Sequence, residues 1–221
     1  MIIYFGDPHG EFRHIIREVR RQEPEAIVLL GDIEAPLPLH VLLRPILDMT
    51  DIWFIHGNHD TYQEEFWHNL YDSNLANKSL HGRVCEVDGR RVAGLGGVFR
   101  QSVWMPGYES ADVQNYEDYC KQTLLLSKAH HVADNMKLKA LSSIYPDDYY
   151  SLAMESAEIL VAHEAPSCHP YGFAALDELA QSLGVQEAIH GHHHDSLDYR
   201  EHWNRLGFRA YGVEFQGWKL G

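Results

Sequence analysis

The chain opens Met1-Ile2-Ile3-Tyr4-Phe5-Gly6-Asp7-Pro8-His9-Gly10: an apolar run, a glycine, then an aspartate and a histidine two residues apart. An apolar run this short, without polar alternation, reads as a strand buried on both faces. The same pairing of strand and polar exit recurs four times. Ala26–Leu30 is followed by Gly31-Asp32, and Ile52–Ile55 by Gly57-Asn58-His59-Asp60. Ile159–Ala162 leads into His163, and Glu187–Ile189 into Gly191-His192-His193-His194. Metal-type side chains at the exits of several strands converge at one sheet edge, the edge where open α/β sheets bind ligands. One such segment would mean little; five in order describe a site assembled by the fold.

Between the strands, Phe12, Ile15, Ile16 and Val19 form a helical stripe, and Leu39, Leu42, Leu43 and Ile46 form a second, entered through Pro36 and Pro38. Short strand–helix–strand spacing predicts parallel pairing. The pattern then changes. Arg83–Val87 and Arg91–Leu95 flank Asp88-Gly89, a hairpin signal, so a second, mixed sheet is expected after the parallel half. Gly94-Leu95-Gly96-Gly97 lacks dinucleotide-loop spacing and reads as a close backbone approach.

Residues 101–157 read as a helical insertion rich in aromatics, including Trp104, Tyr108, Tyr116, Tyr145 and Tyr150. Val113, Tyr116, Cys120 and Leu124 fit one helical face, and Tyr145-Pro146-Asp147-Asp148 a helix entry. The insertion is either a satellite packed on the sheets or a cap over the site. Leu176, Leu179, Ala180 and Leu183 give a further stripe, and Gly207–Phe215 a closing strand. Nothing marks a linker or repeat, so residues 1–221 are expected to form a single domain.

Composition narrows the function. The 221 residues, 45% hydrophobic and 23% charged, suit one soluble globular domain. With 18 Lys and Arg against 32 Asp and Glu, the net charge of −14 disfavours long nucleic acids and anionic lipid. No apolar run approaches the roughly 20 residues of a membrane span. With 3 cysteines of unpaired spacing and a first strand starting at Met1, a cytoplasmic protein with reduced thiols is expected.

Two divalent ions roughly 3.5–4 Å apart can clamp a phosphate and activate water, and they need a carboxylate shared between them. Asp32, alone after a buried strand and a glycine, is the candidate bridge. Alternation on an extended segment would put Asp7 and His9 on one side, and likewise His192 and His194, with His193 pointing away. Asn58 offers a neutral oxygen and His163 an imidazole.

The ordered set Asp-x-His, Gly-Asp, Gly-Asn-His-Asp, a lone His and Gly-His-x-His resembles the calcineurin-like metallophosphoesterases, over residues 7–194. The resemblance implies a four-layer αββα sandwich. It implies that Asp7, His9, Asp32 and His194 hold one metal, and Asp32, Asn58, His163 and His192 a second. It implies hydrolysis of a phosphomonoester or phosphodiester of a small substrate by a metal-bridging hydroxide, with His59 assisting the leaving group. Such ligands suit Mn, Fe, Co, Ni and Zn to different degrees. The sequence departs from the phosphoprotein phosphatase branch, where Gly-Asp continues to a second Asp followed by Arg-Gly. Here Ile33-Glu34-Ala35-Pro36-Leu37 follows, which leaves Asp60 and Glu34 as the candidate acids for His59 to lean on. The alternatives are a nuclease or a catalytically silent interaction module on the same fold.

The chain holds 16 histidines, and most need no functional role. His56 and His190, just before motif glycines, read as buried supports, and His130-His131 as surface. Arg100 and Arg13 read as surface charges with the alternative of reaching a phosphate.

Overall fold

The computed structural model describes residues 1–108, 113–126 and 130–221, with side chains described outside 124–133. In the first sheet β1 (Ile2–Phe5), β2 (Ala26–Leu30) and β3 (Asp51–Ile55) run parallel in the order β3-β2-β1. The second sheet contains β4 (Arg83–Val87), β5 (Arg90–Leu95), β6 (Ile159–Ala162), β7 (Glu187–His190) and β8 (Arg209–Gly212) in that order. The β4–β5 pair is antiparallel and the rest parallel, so this sheet is mixed. The hairpin turns through Asp88 and Gly89 at φ 48° and 72°, the left-handed pair a two-residue turn demands. A last strand, β9 (Trp218–Leu220), returns to the first sheet antiparallel to β1.

The two sheets share a core. Ile2, Tyr4, Val28, Leu30 and Ile55 meet Val92, Ile159, Val161 and Ile189 between them. Alternate residues point outward. Ile3, Phe5, Ile27 and Leu29 pack under α1 (Arg13–Gln22), α2 (Leu39–Leu42) and Leu70 of α3 (Glu64–Tyr71). Ala93, Leu95, Leu160, Ala162 and Ala188 form the outer face of the second sheet. That face is covered by residues of α4 (Tyr116–Leu126), α5 (His130–Ala140), α6 (Pro146–Ala153), α7 (Ala174–Leu183) and α8 (Trp203–Leu206). Two mixed sheets flanked by helices result, in four layers. Strands buried on both faces explain the apolar runs, each large apolar side chain contributing about 1.5–3 kcal/mol by its burial.

Three readings need correction, and those on Leu124, His130 and His131 fall on side chains outside the described residues. The stripe ending at Ile46 is not one helix: Pro45 interrupts it, and a 3₁₀ turn over Arg44–Ile46 follows α2. Val113 lies before α4 rather than on it; among the described side chains of that helix Tyr119 and Thr123 are buried and Tyr116 packs against the core. The closing strand is only β8, and the chain then crosses to the other sheet as β9. The aromatics Trp104, Tyr119, Tyr145 and Tyr149 are buried against the second sheet, Tyr149 Oη donating to Ala175 O at 2.6 Å.

Gly96 shows the close approach expected of the glycine run. A Cβ there would lie 2.8 Å from His56 O, so only glycine lets the chain leave β5 this close to the end of β3.

Candidate metal centre

All the strand exits meet at one end of the sandwich. The first sheet contributes Asp7, His9, Asp32, Asn58 and His59, and the second His163, His192 and His194. Donor atoms of Asp7, His9, Asp32 and His194 lie within 4.8 Å of one another, and so do those of Asp32, His163 and His192. Asn58 Oδ1 joins the second group, 3.2 Å from His163 Nε2. Asp32 therefore belongs to both groups.

The local backbone is not the extended one that alternation suggested. Asp7 and His9 have φ of 38° and 44°, Asp32 and Glu34 47°, and His192 and His194 70° and 59°. Left-handed backbone at non-glycine residues costs energy and persists where surrounding structure enforces it. Here it turns alternate side chains of tight loops inward. His193, between two such residues, stacks on His169 with ring centroids 3.7 Å apart. The loops also interlock: both Asp7 carboxylate oxygens accept the His192 N–H, at 3.1 and 3.0 Å, joining the ends of β1 and β7. A Cβ at Gly57 would lie 2.2 Å from Asp32 Oδ1 and 2.5 Å from His163 Cε1.

The hydrogen-bond pattern of these donors fits cations. His163 Nδ1 donates to Leu30 O at 2.8 Å, so in the neutral ring that a metal would take Nε2 is the lone-pair nitrogen. That nitrogen faces Asp32 Oδ1 at 3.3 Å and Asn58 Oδ1 at 3.2 Å, three acceptors with no donor among them. His9 Nδ1 lies 2.8 Å from Glu34 Oε1 and donates to it. Its Nε2 is then also an acceptor, and it meets His194 Nε2 at 3.1 Å. His192 Nδ1 is buried without a partner among the described residues. Only a proton or a metal ion relieves such contacts.

Electrostatics points the same way. Burial pushes the Asp7 carboxyl up to about 6, against the pull of His163. For Asp32, burial acts upward but the His163 ring and the His59 N–H overturn it and hold the carboxyl below the usual range. Burial likewise works against the charged form of His163, and Asp32 overrides it, raising the ring's pKa. The buried carboxylates thus demand positive charge, and the proton-free ligand set is the one a metal would take.

Around the donors sits a ring of positioning groups. Glu34 Oε1 accepts from His59 Nδ1 at 2.7 Å as well as from His9. Of the two carboxylates the sequence offered as the partner of His59, the structure therefore places Glu34 on the ring. Asp60 is fully buried and turned away: its oxygens accept the Glu34 N–H at 2.7 Å and the Gly57 N–H at 2.8 Å. It ties the loops together rather than orienting His59. Burial and the charge of Asp32 push its carboxyl up to about 7. Glu164 Oε2 stands 4.0 Å from His192 Nε2, a position for which the sequence carried no signal beyond adjacency to His163. His59 Nε2 lies 3.9 Å from Asp32 Oδ2, and its ring stacks on Tyr62 at 4.0 Å. His56 and His190 are buried supports as expected, bonded to Tyr71 Oη at 2.7 Å and Tyr199 Oη at 3.1 Å. Arg13 is exposed and paired with Glu11 at 2.6 Å.

Glu34→Gln is expected to loosen two imidazoles at once. An outer carboxylate of this kind is worth about 10–100-fold in metal affinity or activity. Metal titration of the variant, with its pH–rate profile, checks this; unchanged values for both would remove Glu34 from the site.

Residues 1–196 match the calcineurin-like phosphoesterases, and the chain belongs to that family. A protein of Haemophilus influenzae, described as uncharacterized, is 37% identical over 216 residues, 95% of this chain and 92% of the relative. The crystal structure of TT1561 of Thermus thermophilus superposes with a TM-score of 0.57 at 16% identity, covering 97% of this chain and 89% of that one. At that identity the likeness shows the fold alone. Among the described residues, no helix is long and apolar enough to cross a membrane.

Proposed function

We propose that the protein is a two-metal phosphoesterase acting on a small phosphorylated substrate. The observation that carries this reading is Asp32, which lies in both donor groups and so can serve two cations with one carboxylate. Asp7, His9, Asp32 and His194 would hold one ion, and Asp32, Asn58, His163 and His192 the other. Bound there, two divalent ions supply a clamp for the phosphate and an activated water. The chain supplies the rest. Glu34 accepts a hydrogen bond from the Nδ1–H of His59 and so fixes the ring with Nε2 toward Asp32. In that orientation Nε2 can carry a proton to a leaving oxygen or stabilise its charge. His163 is fixed by Leu30 O, and Asp7 by the His192 N–H, so the donors are preorganised rather than gathered by the ion. The three cysteines are free, which supports a reducing compartment such as the cytoplasm.

The experiment is metal removal and return. Calorimetric titration of chelated protein with Mn²⁺ or Zn²⁺ is expected to show two sites per chain. Hydrolysis of p-nitrophenyl phosphate or its bis-ester should vanish on chelation and come back on titration. Full turnover by a preparation shown by elemental analysis to be metal-free would overturn the reading.

A further inference from the structure

Arg100 stands at the rim of the site without a counter-charge. It follows the Gly96–Phe99 segment that leaves β5, and it is partly buried. Among the described residues its guanidinium makes one side-chain hydrogen bond, Nη2 donating to Ser142 Oγ at 3.2 Å. Its Nε is buried with no acceptor among those residues, and no described carboxylate pairs with it. Arg13 has Glu11, Arg21 has Glu18, Arg200 has Asp198 and Arg209 has Glu187; Arg20, Arg44 and Arg83 lack a carboxylate as Arg100 does, but among the described residues only Arg100 has a buried guanidinium nitrogen without a partner.

Two tethers fix where this cation stands. Ser142 Oγ shares a 2.6 Å hydrogen bond with Thr61 Oγ1, which donates to the carbonyl of Asn58 at 3.1 Å. On the other flank, the Phe99 N–H donates to Glu164 Oε1 at 3.3 Å, one residue past His163. Arg100 is thereby held between the two loops that carry Asn58, His59 and His163. Burial weakens its charged form, and the carboxyls of Glu164 and Asp32 lie within electrostatic reach to support it, with Tyr62 close by. Tyr62 is the residue stacked on His59. A partly desolvated guanidinium whose buried Nε–H has no acceptor among the described residues costs the free protein stability, unless an anion completes it.

We infer that Arg100 binds the third terminal oxygen of a phosphomonoester dianion, which makes the monoester, rather than the diester, the substrate class of this site. The inference rests on the phosphoesterase reading. A monoester carries three terminal oxygens and two negative charges, a diester two oxygens and one charge. Two cations at the donor groups account for two oxygens. The remaining charged oxygen exists only in the monoester, and a guanidinium fork is the group that matches it.

The test compares metal-loaded wild type with Arg100→Ala, Arg100→Gln and Arg100→Lys. The readouts are KM and kcat on p-nitrophenyl phosphate and bis-p-nitrophenyl phosphate, and calorimetric binding of inorganic phosphate. Loss of a charge-assisted contact is expected to raise the monoester KM about 10- to 100-fold and weaken phosphate binding to match. The diester KM should change less than about threefold, and lysine should recover part of the loss as a point charge. Gln keeps a donor for Ser142, so it separates charge from fold should Ala prove unstable. Equal effects on both esters, or undiminished phosphate binding in Arg100→Gln, would overturn the assignment. If wild type hydrolyses neither ester, the phosphoesterase reading fails on its own account. The phosphate titration then still decides Arg100: weaker binding in Arg100→Gln supports the anion site, and no binding by wild type ends it.

Discussion

Asp32→Asn is expected to empty both cation positions together and to cut phosphoesterase turnover by about 10³-fold or more. The magnitude follows from removing Lewis-acid stabilisation worth several kcal/mol, at about 1.36 kcal/mol per factor of ten. The physical reason is the double membership of this carboxylate. Its Oδ1 faces His163 Nε2 at 3.3 Å while its Oδ2 faces His9 Nε2 at 3.9 Å, so each oxygen looks toward a different donor group. Asparagine keeps the shape but places an uncharged amide between two cations. Asp7→Asn, by contrast, should weaken one position, because Asp7 belongs to one group only. Calorimetric metal titration of the two variants side by side distinguishes them. A single lost site in Asp32→Asn would show that the carboxylate does not bridge.

His59→Ala should keep both metals and lose about 10²–10⁴-fold in turnover, the range of a positioned general acid. His59 is separate from the two donor groups that meet at Asp32, and Glu34 holds its Nδ1, so truncation removes a proton carrier and leaves the ligands standing. The loss should be largest for esters with poor leaving groups and small for nitrophenolate, which departs without protonation. Rates across a series of graded leaving-group pKa make the comparison. A uniform loss would assign His59 an electrostatic or structural part, and a fall in metal content would make it a ligand.

Much of the fold is legible in the sequence because β1, β2, β6 and β7, the strands that carry most of the site, are buried on both faces. The bounds of β2 and β6 follow to the residue, since an unbroken apolar run of four or five residues ending in glycine or histidine fits little besides a buried strand. The ligand set is legible because donor types follow those runs in order. The geometry that makes it a set is not. The left-handed backbone at Asp7, His9, Asp32, His192 and His194 is imposed by contacts across the two sheets, such as His192 N–H on Asp7, which no local pattern records. A signal does exist, because aspartate and histidine tolerate that conformation better than most residues. Glu34 is visible in the sequence only as one of two candidate partners. Its choice over Asp60 depends on backbone N–H groups of Gly57 and Glu34 that capture Asp60 first. β9 escapes a sequence reading because Trp218, Lys219 and Leu220 are edge residues with little burial, so composition carries no alternation there.

The layout of the two sheets has a consequence for how the molecule comes apart. Their shared seam is apolar through its middle, from Ile2 and Val28 to Ile159 and Ile189; the Met1 amino group pairs with Asp88 at one end, and the strand exits gather buried polar groups at the other. Desolvated carboxylates and crowded lone pairs lie on both sides of that end, so in the metal-free chain it is the part of the seam that gains least by staying shut. A cation binding there would act as a fastener between two halves joined mainly by oil and by a few bonds such as that of the His192 N–H to Asp7. Fraying should therefore begin at that end and be silenced by metal. Amide exchange would register it at the bonds that bridge the halves, the His192 N–H on Asp7 above all, before it reaches the β-ladders.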